Sequence, residues 1–207
     1  MKRSMRGGPG IRGFLRNAFG AAIFFGLAVV IILGAVPAWA GGIDGLVASG
    51  RDSVANDLSL GPASILGDEP NYLEIGVGVF DALEEGRGSA SGAFLGELRY
   101  GRKLFYIGPA IGLMANNDGG VFGYGGFYAD ARLGHFVVTP LLGLGGYKRG
   151  GSKDLGGIFQ FRVSLGIAYE MESGMRLGFR AAHISNASIH DHNPGEEEFL
   201  LTFALPF

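Results

Sequence analysis

The sequence predicts an all-β fold, an eight-stranded antiparallel transmembrane β-barrel of the outer-membrane kind, on three observations. Apolar residues recur at every second position through segment after segment, which is the period of a strand. One face of those segments carries large aliphatic and aromatic side chains; the other carries small residues and charges of both signs. Beyond residue 40, glycine or charge interrupts every apolar run, so no later segment can cross a membrane as a helix.

The N-terminus reads as a targeting segment. Lys2, Arg3, Arg6, Arg12 and Arg16 precede an apolar run from Ala18 to Val36, and Pro37-Ala38-Trp39-Ala40 follows. A basic start, an apolar stretch and a closing Ala-x-Ala predict a secretory signal peptide over 1–40, cleaved after Ala40. The alternative is an uncleaved anchor, since the apolar run approaches membrane-spanning length. Cleavage removes five of the 17 basic residues and none of the 19 acidic ones, leaving a net charge of −7. That balance disfavours nucleic acid as a partner. The absence of cysteine excludes disulfides, thiolate catalysis and Cys-based zinc sites. The 39 glycines alone would suit a flexible chain, but 47% hydrophobic content argues for a folded one.

Residues 41–70 lack clean periodicity and are expected to form a periplasmic N-terminal extension, with the barrel over 71–207. In 72–80, Leu73, Ile75, Val77 and Val79 share one face. In 158–170, Phe159, Phe161, Val163, Leu165, Ile167 and Tyr169 oppose Gln160, Arg162, Ser164, Gly166, Ala168 and Glu170. Further strands are expected near 93–100, 105–114, 121–133, 136–147, 175–185 and 197–207. The polar face includes Glu74, Glu97, Arg99, Asp130, Arg132, Arg162, Glu170, Arg176 and Arg180. Charges inside and apolar residues outside are the transmembrane arrangement, because closure leaves no unpaired backbone edge in lipid. With eight strands the lumen is filled by side chains, so a pore is not expected. Short turns at 101–104, 134–135 and 171–174 and longer loops at 81–92, 115–120, 148–157 and 186–196 predict a periplasmic and an outer end. The chain closes on Phe199-Leu-Leu-Thr-Phe-Ala-Leu-Pro-Phe207, an alternating aromatic ending that resembles the C-terminal signal of outer-membrane proteins.

Residues 180–198 hold the densest cluster of catalytic residue types. On strand seven Met175, Leu177, Phe179 and Ala181 face lipid, so His183 and Ser185 continue that stripe. Counting back along strand eight from Phe199 puts Glu197 on the same face, with Glu196 and Glu198 turned away. A serine, a base and a carboxylate thus interrupt two adjacent lipid-facing stripes. Serine hydrolases need such a set: the base activates the hydroxyl and the carboxylate fixes the base's tautomer. With the N-terminus periplasmic, the three sit at the outer leaflet. The competing reading is an aqueous loop that begins early and merely solvates them.

His183-Ile-Ser185-Asn186-Ala187, then Asn193-Pro-Gly195 and a glutamate fourteen residues after the histidine, resemble the outer-membrane lipid A 3-O-deacylase (PagL) family. The resemblance implies a Ser185–His183–Glu197 triad that hydrolyses the 3-linked hydroxyacyl ester of lipopolysaccharide lipid A. It implies no cofactor, no metal, and a capacity to form homodimers. Asn193 is a candidate oxyanion donor from the covering loop. Asn186, of opposite parity to Ser185, is a candidate for organising the backbone beside it. The 41–70 extension exceeds the short N-terminus that the resemblance implies.

Other features read more plainly. His190-Asp191-His192 has two metal-ligand types but no third ligand by strand spacing. The Gly143–Lys153 run lacks Gly-Lys-Ser/Thr in order and precedes no helix, so it reads as a hairpin loop. Lys148, Arg149 and Lys153 in it are candidates for lipid A phosphates, against an ordinary exposed loop. His135 reads as a turn residue. The rival to a hydrolase is a non-catalytic small barrel, an envelope scaffold or adhesin; a second is an acyltransferase with the same residues.

Overall fold

Alternating sequence becomes a closed sheet. The computed structural model describes residues 57–83 and 90–207; the signal peptide expected over 1–40 and the start of the 41–70 extension lie outside them. A short hairpin, β1 (Leu58–Leu60) and β2 (Ala63–Ile65), precedes β3 (Tyr72–Phe80), β4 (Ser91–Arg99), β5 (Gly108–Asn116), β6 (Val121–Tyr128), β7 (Ala131–Leu133), β8 (Phe136–Lys148), β9 (Phe159–Glu170), β10 (Arg176–Ser185) and β11 (Glu196–Pro206). Each neighbour in the barrel is antiparallel, and β11 returns to β3 with Phe199 opposite Val79, which closes the ring.

Every expected barrel segment holds a strand. The expected strand 121–133 appears as β6 and β7 in one unbroken register on β8, with Tyr128 opposite Leu141 and Ala131 opposite Val138. Its ladder is interrupted opposite Pro140, which has no N–H to give. The free side of β7 lies beyond the end of β5, and β2 pairs there, Ala63 opposite Leu133. The hairpin thus covers a sheet edge that strand stagger leaves open.

Two connections differ from expectation. The link after β4, expected to end at 104, runs on to a tight turn closed by a Leu104–Ile107 bridge. Lys103 turns inward to Glu69 and Asp130, which carries the hairpin further before it reverses. The loop after β5, expected to be long, is a tight turn in which Gly119 N–H donates to Asn116 O. The long loops at the end where β10 turns into β11 are therefore those after β3, β8 and β10.

The exterior is apolar: Ile75, Val77, Phe94, Ile111, Leu144 and Phe179 are all exposed. Inside, Arg180 grips Glu97 with its Nη1 at 2.9 and 2.8 Å from the two carboxylate oxygens, and Arg99 Nη2 lies 2.6 Å from Glu74. Buried ions of this kind are tolerated because each charge has a partner. The end of the lumen that carries these longer loops is filled differently, by Phe80, Met114, Phe122, Tyr147, Leu155, Ile184 and Leu200. At the opposite end Leu66 is buried, and its N–H donates to Asp130 O. Glu69 follows and inserts between Lys103 and Arg176, so the lead-in to β3 plugs the mouth.

Candidate active site

The β10–β11 ladder sets the site. It places His183 opposite Glu197, and the β10–β9 ladder places His183 opposite Val163 and Ser185 opposite Phe161. Along the outer stripe of β10, Leu177 and Phe179 are 45% and 72% exposed, but His183 and Ser185 are only 3% and 9% exposed. The stripe is the same; what changes is that the 186–195 segment folds back over it. Gly195 lies against the imidazole, close enough that a Cβ there would stand 2.9 Å from His183 Cε1.

His183 Nδ1 is 3.3 Å from Glu197 Oε1, and the glutamate side chain is 27% exposed. A carboxylate at Nδ1 favours the proton on that nitrogen and leaves Nε2 as the basic atom. His183 Nε2 is buried and makes no hydrogen bond within the protein. Nδ1 likewise makes no hydrogen bond, so its relation to Glu197 is a close contact at 3.3 Å. Glu196 and Glu198 face the lumen instead: Glu196 accepts the Asp81 N–H at 3.2 Å, and Glu198 is paired with Arg162, both fully buried.

Immediately after Ser185 the chain turns sharply, with Ala187 at φ 50° and Ser188 at φ 63°. Asn186 is completely buried. Its Nδ2 donates to Leu155 O and to His192 O, both at 2.7 Å, so its amide protons are engaged by backbone carbonyls. Its backbone N–H donates to Asn193 Oδ1 at 3.0 Å, a bond that settles which end of the Asn193 amide faces the backbone.

The remaining sequence candidates lie around this centre. His190 packs on Gly157, and His192 contributes its carbonyl to Asn186. Among the described residues no three His, Cys, Asp or Glu side chains are grouped to hold a metal. Arg149 pairs with Asp154 at 2.9 Å on the surface, Lys153 reaches Asp81 at 2.6 Å, and Lys148 is exposed. The Gly143–Lys153 run ends β8 and enters a hairpin loop. His135 stacks on Tyr169 in its turn, centroids 5.3 Å apart. Leu155, Gly156 and Gly157 touch the site's covering loop and had no signal in the sequence beyond a glycine pair in a loop.

Comparison with known proteins bears on what this arrangement belongs to. A lipid A deacylase PagL of Bordetella bronchiseptica is 36% identical over 81 residues, a stretch that spans 39% of this chain and 42% of that protein. The crystal structure of the outer membrane enzyme PagL matches with a TM-score of 0.51 at 17% identity, covering 66% of this chain and 99% of that one. At that identity the likeness speaks to the barrel fold. The family match begins at residue 37, so the 41–70 segment lies within it rather than beyond it. Because that match runs through residues 37–206, the chain belongs to the lipid A 3-O-deacylase (PagL) family.

Proposed function

We propose that this outer-membrane barrel hydrolyses the 3-linked hydroxyacyl ester of lipid A with Ser185 as nucleophile, His183 as base and Glu197 as orienting carboxylate. The observation that carries the reading is the His183–Glu197 pair: directly opposite in the ladder, 3.3 Å apart, on the lipid-facing side. Polar groups on that face are costly in a bilayer, least so near the interface. A barrel that only scaffolds leaves this trio without an account. Membership of the family supports the same substrate class.

Ser185 Oγ attacks the ester carbonyl as its proton passes to His183 Nε2. The imidazolium so formed is stabilised by Glu197 at Nδ1. Collapse of the tetrahedral intermediate expels the sugar 3-hydroxyl, which takes the proton back from His183. Water then enters by the same route, releases the fatty acid and restores Ser185. Asn193, held beside the nucleophile by its bond to Asn186 N–H, is assigned as an oxyanion donor. Asn186, whose amide is engaged elsewhere, is assigned a positioning role.

Mass spectrometry of lipid A incubated with purified protein tests the reading. The wild-type chain should remove one hydroxyacyl chain, and Ser185→Ala and His183→Ala should each lower the rate by roughly 10³-fold or more. A gain of acyl mass would indicate acyl transfer, and no change a scaffold. Activity in Ser185→Ala equal to wild type would remove serine chemistry.

A further inference from the structure

His183, Ser185 and Glu197 sit on strands: His183 is paired on both sides, Ser185 to β9 and Glu197 to β10. The segment that covers them does not. Residues 186–195 leave the ladder through a turn with two non-glycine residues in left-handed conformation, so their position depends on contacts from elsewhere.

Those contacts come from the loop between β8 and β9. Leu155 O and His192 O share the Asn186 amide, one carbonyl from each loop, at 2.7 Å. Gly156, at φ +84°, passes so close to the same His192 carbonyl that a Cβ would lie 1.8 Å from it. Gly157 lies flat on the His190 ring, where a Cβ would come within 2.1 Å of Cδ2. Two successive positions are thus occupied by the one residue type that permits this approach.

The β8–β9 loop is itself fixed to the barrel. Leu155 is 1% exposed and belongs to the apolar cluster that fills the lumen. Lys153 bridges to Asp81 across the same rim at 2.6 Å, and Tyr147 Oη donates to Lys153 O at 3.0 Å. Gln160 Nε2 donates to Gly157 O at 2.7 Å. A continuous path of contacts therefore runs from the barrel rim through Leu155 and Asn186 to the segment that ends at Gly195 against His183.

We infer that the β8–β9 loop, residues 149–158, is a positioning element of the hydrolytic site, holding the 186–195 loop over His183 through Asn186. The inference rests on the triad reading above. Displacing the covering loop shifts the surroundings of the imidazole and carries Asn193 with it, while Ser185, His183 and Glu197 stay in their strands. Misplacement of about 1 Å can lower turnover by as much as about 10²-fold.

The test uses the full chain with lipid A as substrate and reads kcat, KM and the heat-dependent gel shift of the folded barrel. Gly157→Ala sets a methyl against the His190 ring, and Asn186→Asp presents acceptor oxygens to two carbonyls. Each should lower kcat by roughly ten- to a hundredfold, with KM within about twofold and the gel shift retained. Adding His190→Ala to Gly157→Ala removes the ring that the methyl meets and should restore most of kcat, a rescue that general destabilisation would not give. Wild-type kcat in both single variants, or a raised KM at unchanged kcat, while Ser185→Ala is inactive, would overturn the positioning role alone. Failure of His190→Ala to rescue would overturn it too. Full activity in Ser185→Ala would overturn the triad reading and this inference together.

Discussion

His183 and Glu197 are direct partners across the β10–β11 ladder, with Nδ1 and Oε1 3.3 Å apart. Cross-strand partners are held by the backbone hydrogen bonds on either side of them, so the carboxylate needs no loop to find its histidine. In the proposed triad, the environment above the imidazole is what is left to loop structure.

This geometry predicts an order among substitutions at Glu197. Glu197→Gln keeps the shape and a carbonyl acceptor but loses the charge that stabilises the imidazolium, so activity should fall without vanishing. Glu197→Ala should fall further, toward the loss of several orders of magnitude seen when triads are broken. Rates from lipid A mass spectrometry in purified variants check the order. A Glu197→Ala protein close to wild type would remove it from the triad.

Glu198 should matter for stability and not for chemistry. It faces the lumen and pairs with Arg162, and both side chains are fully buried. Glu198→Ala leaves a buried guanidinium unpaired, a change that costs about 3–5 kcal/mol in comparable sites. The denaturant midpoint should drop accordingly, while turnover per folded molecule stays near wild type. Replacing both partners, Arg162→Met with Glu198→Leu, should recover most of the midpoint. A Glu198→Ala midpoint equal to wild type would contradict the ion pair's role.

Much of this was legible in the sequence because a strand's faces follow from counting. Parity alone separated Glu197 from Glu196 and Glu198, and assigned Glu97, Arg99 and Arg180 to the interior. It could not assign the lumen's layers. Phe122, Ile184 and Leu200 are inward-facing and apolar, and only the meeting of distant strands shows that they pack together with Leu155. Nor could it read contacts between loops. Gly156 and Gly157 look like ordinary loop glycines until His192 O and the His190 ring are set against them. The lead-in through Leu66 and Glu69 has no periodicity at all, because it crosses the mouth of the barrel and pairs charges contributed by three other elements.

The β4–β5 hairpin carries conformational strain. Phe105 and Tyr106 have φ of 49° and 68°, the left-handed region that side chains of this size rarely adopt. In the other turns at this end, glycine takes that conformation, Gly134 at 59° and Gly174 at 79°. Left-handed backbone costs a non-glycine residue about 1–2 kcal/mol. Asn-Gly is the pair such a two-residue turn favours. Phe105 is 84% exposed, so little packing within the protein is lost by replacing it. The double change Phe105→Asn, Tyr106→Gly should therefore raise the denaturant midpoint. An unchanged or lower midpoint would mean that the two aromatic rings gain more from surrounding lipid or detergent than the turn loses in strain.

Glu69 should make the barrel's stability depend on pH. Its carboxyl lies outside the barrel strands, in the segment that plugs the mouth, and is pushed from 4.5 up to about 7. Burial is the largest cause, and the Asp130 carboxylate adds to it, while Arg176 and Lys103 act in the opposite direction without cancelling it. A carboxyl whose folded value is raised favours the folded state most when protonated. Its contribution is thus fully present below about pH 4.5 and is lost as the pH rises through about 7. Denaturant midpoints taken from pH 4.5 to 8 should fall in the wild-type chain more steeply than in Glu69→Gln, which cannot ionise. Above pH 7 the variant keeps an amide oxygen for Arg176 and Lys103 without the charge that burial disfavours. Its midpoint there should therefore match or exceed that of wild type. Parallel curves for the two proteins would show that Glu69 ionises without penalty, its two cations fully offsetting burial and Asp130.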